Sequence, residues 1–125
     1  MLEYLRDRVK EKLEKTHSAI LATGGPAGVQ VSYCPGQGLG LHLFLLVPAT
    51  SDHLFNLENQ TEVVVTTEDW QLRGWARVLK VENIPPELEL KKNENNRREE
   101  VIEIVPYRFE FIIPEETRVV ETIDL

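Results

Sequence analysis

LHLFLLVPATSDHLFNLEN, residues 41–59, is the stretch whose reading decides the fold. Its first part, Leu41 to Val47, reads as a strand with Leu41, Leu43, Leu45 and Val47 on one face and His42, Phe44 and Leu46 on the other. Both faces are largely apolar, so this strand belongs in the middle of the fold, covered from both sides. Pro48 to Thr50 make a short polar corner, and a helix carrying Leu54, Phe55 and Leu57 begins near Ser51. A strand that runs straight into a helix start leaves backbone N–H groups open to a ligand, above all an anion. The corner is the first candidate site.

Upstream, residues 2–15 (LEYLRDRVKEKLEK) place Leu2, Leu5, Val9 and Leu13 three and four apart among charged residues, the pattern of an amphipathic helix with one stripe to bury. His17–Thr23 is a short apolar strand that stops at Gly24-Gly25-Pro26-Ala27-Gly28. Those glycines resemble a phosphate-cradling loop, but neither a lysine nor a helix pattern follows, so a hairpin turn is the better reading. In the next strand, Val29, Val31 and Tyr33 are expected to face the core, with Gln30, Ser32 and Cys34 on an uncharged polar face. Pro35-Gly36-Gln37-Gly38 reads as a second turn, returning the chain into Gly40–Val47.

Downstream, Glu62–Thr67 is rich in β-branched residues, and Glu68-Asp69 turns the chain into Trp70–Val81, long enough to bend around a barrel at Gly74. Pro85-Pro86 ends that strand. Residues 87–100 (ELELKKNENNRREE) are almost entirely charged or amide and read as a short surface helix or loop; Lys91, Lys92, Arg97 and Arg98 suggest an anion patch, but the interleaved glutamates make a solvated face the better reading. Val101–Val105 and Tyr107–Ile113 follow as strand halves broken at Pro106, and Arg118–Ile123 is the last strand. About seven short strands joined by turns close most simply as an antiparallel barrel or sandwich.

The 125 residues form a single domain, and a net charge of −7 argues against a nucleic-acid binder, which needs a basic face. No apolar run reaches the roughly 18 residues of a membrane span. The charged, helical N-terminus differs from a signal peptide, so a cytoplasmic location is expected. Cys34 is the single cysteine, and His17, His42 and His53 lack metal-ligand spacing. Ser51, Asp52 and His53 are adjacent on a helix start and cannot converge as a catalytic triad.

In this order of elements the chain resembles the pyridoxamine-phosphate-oxidase-like, FMN-binding split barrels. The residues that carry the likeness are the helix followed by HSAILAT, the glycine turn before VQVSY, LHLFLLV leading through PATSDHLFNLEN, EVVVTT followed by LRGWARVL, and VIEIVPYRFEFI with its returning strand. The resemblance implies a mainly β fold: an antiparallel split β-barrel of six to seven strands with an N-terminal helix and a short inserted helix. It further implies a homodimer that binds FMN, or another small-molecule ligand, in a groove between subunits, and possible oxidoreductase chemistry. It places Gln30 and Ser32 on the strand that faces the flavin, Thr50 and Ser51 at the phosphate corner, and His53 near the position of the usual lysine.

One departure is plain. Between Lys15 and Arg73 there is no lysine or arginine, while Asp52, Glu58, Glu62, Glu68 and Asp69 are acidic. A phosphate dianion needs charge-assisted donors. Arg73, Arg77 or Lys80 on the long strand, or a protonated His53, are the cations left to supply them, and Trp70 and Trp75 are candidates to stack on a ring. The alternatives are a degenerate family member that has lost FMN and serves as a dimeric binding or structural protein, and a haem-binding relative.

Overall fold

A computed structural model describes residues 2–90, 98–116 and 118–125. The elements are α1 (Leu2–Glu14), β1 (Ser18–Thr23), β2 (Gln30–Leu39), β3 (His42–Pro48), α2 (Asp52–Leu57), β4 (Glu62–Thr66), β5 (Trp70–Val78), β6 (Glu99–Ile113) and β7 (Arg118–Asp124). A single 3₁₀ turn, Val81–Asn83, follows β5. The strands run in the order β3-β2-β1-β4-β5-β6-β7, and β3 also pairs with β6. That extra pairing closes six strands into an antiparallel barrel and leaves β7 outside it, so the fold is the expected split barrel. Among the described residues no helix is long and apolar enough to cross a membrane.

The split is made by β6. Its first half pairs with β3 (Leu43↔Ile104 to Pro48↔Glu99), its second half with β7 (Arg108↔Asp124 to Ile113↔Arg118), while β5 lies along both halves. The register of β5 and β6 slips where Arg73 faces Arg108 but Gly74 faces Pro106, leaving Tyr107 as the extra residue of a bulge. The strand therefore runs through Pro106 instead of breaking there, because a bulge tolerates the missing N–H. Gly74 is the expected bend point. A Cβ there would lie 2.7 Å from the Val105 carbonyl oxygen, so only glycine permits the close approach.

Two expectations for β2 are overturned. Pro35-Gly36-Gln37-Gly38 is strand, and the turn falls one step later at Gly40, whose φ of 61° is left-handed. Gly36 and Gly38 are instead packing positions, both buried. A Cβ on Gly38 would sit 2.3 Å from the carbonyl oxygen of Leu13, because the last turn of α1 lies directly on the strand. This fixes which face of β2 points inward. Cys34 is buried, whereas Val29, Val31 and Tyr33, expected in the core, are exposed by 79%, 62% and 74%.

The helix α1 buries Val9 and Leu13 in the barrel core, a gain of roughly 1.5–3 kcal/mol for each side chain. It is pinned from both sides: Lys12 Nζ lies 2.7 Å from Asp69 and Arg8 Nη1 2.6 Å from Glu121, with the Arg8 guanidinium 4.3 Å over the Phe111 ring. The strand β3 is covered on both faces, as its sequence implies. Leu43, Leu45 and Val47 belong to the main core, and Phe44 and Leu46 to a second cluster with Leu79 and Val101. Ile84, Leu88 and Leu90 close that second cluster, and Gln37 Oε1 accepts from the backbone N–H groups of Glu89 and Leu90 at 2.7 and 2.9 Å. The 87–100 stretch is thus not uniformly solvated: Leu88 and Leu90 pack inward and Glu99 and Glu100 begin β6, while 91–97 lie outside the described residues.

Candidate functional site

The corner after β3 is built by Ser51. Its backbone is extended (φ −67°, ψ 137°) and its hydroxyl accepts from the backbone N–H of His53 at 3.1 Å, the ordinary N-cap of α2. The open helix start expected from the sequence is therefore partly closed, since the Leu54 N–H is also taken, by the Ser51 carbonyl at 3.1 Å. Capping turns the helix so that His53 and Asn56, on one face, point into the protein.

Both are fully buried polar side chains, His53 at 1% exposure and Asn56 at 0%. Such groups need partners for every polar atom, and here they have them. His53 Nδ1 lies 2.7 Å from Thr23 Oγ1 and Nε2 2.9 Å from Ser32 Oγ. Asn56 Oδ1 accepts from the Ala27 N–H at 2.9 Å, and its Nδ2 donates to the Gly28 carbonyl at 2.9 Å and to Thr23 Oγ1 at 3.1 Å. The glycine turn between β1 and β2 is thereby latched to α2. Its Gly25, with φ 150°, lies so close that a Cβ would fall 2.9 Å from Asn56 Oδ1.

Burial holds His53 below the usual histidine pKa, with the charge of Asp52 opposing the shift. Protonation of this ring is disfavoured in the fold, which argues against its serving as a phosphate-binding cation. The unfolded chain then takes up more protons than the folded one just below the ordinary value of 6.5, so stability falls as pH falls through that range. Urea melts at about pH 7.5 and pH 5.5 are expected to show this loss, and His53→Gln, which does not titrate there, is expected to flatten the histidine contribution. An unchanged slope in the variant would mean that His53 titrates normally.

Ser32, Ser51 and His53 line a cavity of about 250 Å³ together with Tyr33, Cys34 and Pro48. Arg98 and Glu99 complete its wall, and the Arg98 carbonyl accepts from the Ala49 N–H at 3.0 Å, which ties the end of the charged stretch to the corner. This is the cation absent from residues 16–72. It arrives through the β3–β6 pairing, where Pro48 stands opposite Glu99. Cys34 offers no nucleophile, because burial pushes its thiol up to about 11.

The other candidates lie elsewhere. Gln30 Nε2 donates to the Ala27 carbonyl at 2.9 Å in the glycine turn, and Thr50 is exposed at the corner outside the cavity wall. Trp70 is 2% exposed and packs on Phe109 with ring centroids 5.4 Å apart, so it presents no face to a ligand. Arg73 is exposed on the outer face of β5, opposite Val64 and Arg108. Arg77 is bound to Glu103 at 2.6 Å, and the same carboxylate meets His42 Nδ1 at 3.1 Å. Lys80 lines a separate groove of about 600 Å³ between α2 and β5, with Leu54, Leu57 and Val78. Three of the expected positions converge; Arg98, read as part of a solvated face, borders the same cavity, and Thr23 and Asn56 stand behind it without having been singled out as site residues.

One outer sheet face is open and carries an apolar stripe. Register places Val31 and Tyr33 of β2, Ile20 and Ala22 of β1, Val64 of β4, Trp75 of β5 and Val105 of β6 side by side. Trp75 is 52% exposed and stacks on Tyr107 at 5.3 Å, while Tyr107 donates to Glu62 at 2.6 Å.

No family model and no curated protein matches the chain. Among solved structures it is similar to general stress protein 26 from Bacillus anthracis, with a TM-score of 0.68 and 15% identity over 98% of this chain and 99% of the other. It is also similar to a Clostridium acetobutylicum protein related to general stress protein 26, of the pyridoxinephosphate oxidase family, with a TM-score of 0.70 and 11% identity over 100% and 97%. An F420 reductase matches with a TM-score of 0.60 and 15% identity over 80% and 94%. The closed six-strand barrel with its extra strand, and these likenesses along nearly the whole chain, identify the fold as the pyridoxamine 5'-phosphate oxidase-like split barrel.

Proposed function

We propose that the chain is a homodimeric flavin-binding protein whose corner at Ser32, Ser51 and Arg98 takes the phosphate of FMN. The observation that carries this reading is that Ser32, Ser51 and Arg98 border a single cavity in a fold whose solved examples include an F420 reductase. The donor set fits a phosphate through one charged fork and two neutral donors, in place of the two or more cations a tighter clamp would use. A cavity of about 250 Å³ holds a headgroup but not a whole flavin. The open apolar face of β2, β1, β4, β5 and β6 supports a second copy that completes the groove, since exposed apolar patches of this kind mark interfaces. Arg73, Arg108, Glu62 and Glu110 lie on the same face, opposite charges that a two-fold arrangement can pair.

Bound FMN would supply hydride and electron chemistry, while the chain binds and orients it. Titration with FMN, followed by flavin fluorescence, tests the reading. Arg98→Ala is expected to weaken binding about tenfold to a hundredfold, the range for a charged hydrogen bond. Absence of any signal from the native protein at about 100 μM FMN would exclude the reading. One observation favours a second reading, a dimeric binding protein without flavin: both ring nitrogens of His53 already have protein partners, and burial disfavours its charged form. It predicts a dimer indifferent to FMN. The haem alternative loses its buried histidine ligand, because both nitrogens of His53 are engaged.

A further inference from the structure

The buried polar chain behind the corner has a direction, and the direction is set at its far end. Asn56 must present its oxygen to the Ala27 N–H and its nitrogen to the Gly28 carbonyl, because neither backbone group can change role. Its Nδ2 therefore donates to Thr23 Oγ1. Thr23 is 3% exposed, and among the described residues its hydroxyl has one other partner, His53 Nδ1 at 2.7 Å. If Nδ1 carried the proton, Thr23 would accept from both neighbours and its own O–H would be buried with no acceptor, which is the costly arrangement. The Thr23 hydroxyl therefore donates to Nδ1, and the ring proton sits on Nε2. Nε2–H then donates to Ser32 Oγ, 2.9 Å away, and the proton of Ser32 is turned away from the ring.

We infer that Asn56, Thr23 and His53 form a one-way hydrogen-bond relay that occupies one lone pair of Ser32 and leaves its O–H free to donate at the cavity, so that the corner favours ligand groups that accept hydrogen bonds, such as phosphate or carboxylate oxygens. Thr23 and Asn56 are positioning residues in this scheme, and Ser32 is the group that meets the ligand. The ligand class rests on the flavin-phosphate reading, whereas the relay itself rests only on the four side chains and the glycine turn.

The tautomer of His53 can be read directly, without any ligand. Two-bond proton–nitrogen correlation spectra of the native protein near neutral pH are expected to show His53 protonated on Nε2 alone, and a ring protonated on Nδ1 would overturn the relay. Thr23→Val removes the hydroxyl and is expected to release the ring into a mixture of tautomers and to weaken FMN or inorganic phosphate about tenfold. Thr23→Ser keeps the hydroxyl and is expected to restore both. Thr23→Val with the native tautomer retained would show that Thr23 does not set it. Native protein that shows the Nε2 tautomer but binds neither FMN nor phosphate would remove the flavin-phosphate reading and the acceptor selectivity with it, leaving only the relay's direction.

Discussion

Gly38→Ala is expected to destabilise the protein by about 3 kcal/mol, at the upper end for inserting a methyl group into a packed site. The new Cβ would stand 2.3 Å from the Leu13 carbonyl oxygen and 2.4 Å from its carbon, both backbone atoms that cannot rotate aside. Relief requires α1 to lift from β2. That exposes Leu13 and Val9, which are fully buried, and strains the ion pairs that Lys12 and Arg8 make with Asp69 and Glu121. Those ion pairs are about one-third exposed and add little themselves, so the loss is mainly packing. For a domain of this size the melting temperature should fall by about 10 °C. Gly24→Ala is the control, because nothing lies within 4 Å of a Cβ there and its φ is not left-handed. It should be neutral or slightly stabilising, by up to about 1 kcal/mol. Equal melts for the two variants would show that α1 does not rest on Gly38.

Gly38 also shows where sequence reasoning reaches its end. Pro35-Gly36-Gln37-Gly38 has the composition of a turn, and locally nothing contradicts it. Gly38 is needed because a helix that ends at Glu14 comes to rest on the strand, and Gly36 because Leu45 of β3 packs against it; both contacts are tertiary. The contact at Gly38 sets the phase of β2, which is why the alternation of Val29, Val31 and Tyr33 was legible while the face they occupy was not. Alternation identifies a strand with two unlike faces, but an apolar face is equally suited to a core or to a second copy. Leu41–Val47 was read correctly because both of its faces are apolar, so no choice of face arises. The corner was half legible. Ser51 and His53 belong to a local helix start, whereas Arg98 joins them only through the pairing of β3 with β6. A charge within ELELKKNENNRREE carries no local sign that it will border the same cavity as a serine far back in the chain. His53 was expected as a candidate cation near the position of the usual lysine. It is buried because Thr23 and Ser32, on two other strands, supply a partner for each ring nitrogen.

Asn56→Ala is expected to cost about 3 kcal/mol, and the reason lies in how its three hydrogen bonds differ. Those to the Ala27 N–H and the Gly28 carbonyl hold a turn that is partly exposed, so water can replace some of what is lost. The one to Thr23 is buried, and no water replaces it without opening the site. Removing the amide also leaves a gap against Gly25, which approaches Asn56 closely enough to exclude even a methyl group. The latch therefore fails as a unit: the glycine turn detaches from α2, and amide exchange at Ala27 should quicken well before global unfolding. Asn56→Asp separates the roles. It keeps an acceptor for the Ala27 N–H but sets a carboxylate oxygen against the Gly28 carbonyl, a contact that becomes acceptable only when the carboxyl is protonated. Its folded state holds that proton more tightly than the unfolded chain, so the aspartate variant should gain stability as pH falls while the alanine variant gains none. Urea melts and hydrogen exchange across that range check the pair. Rapid Ala27 exchange in the native protein, or an aspartate variant with no pH response of its own, would show that Asn56 merely fills space. Should both behave as expected, the turn between β1 and β2 is held by α2, and the position of Ser32 at the cavity depends on a residue that never touches the ligand.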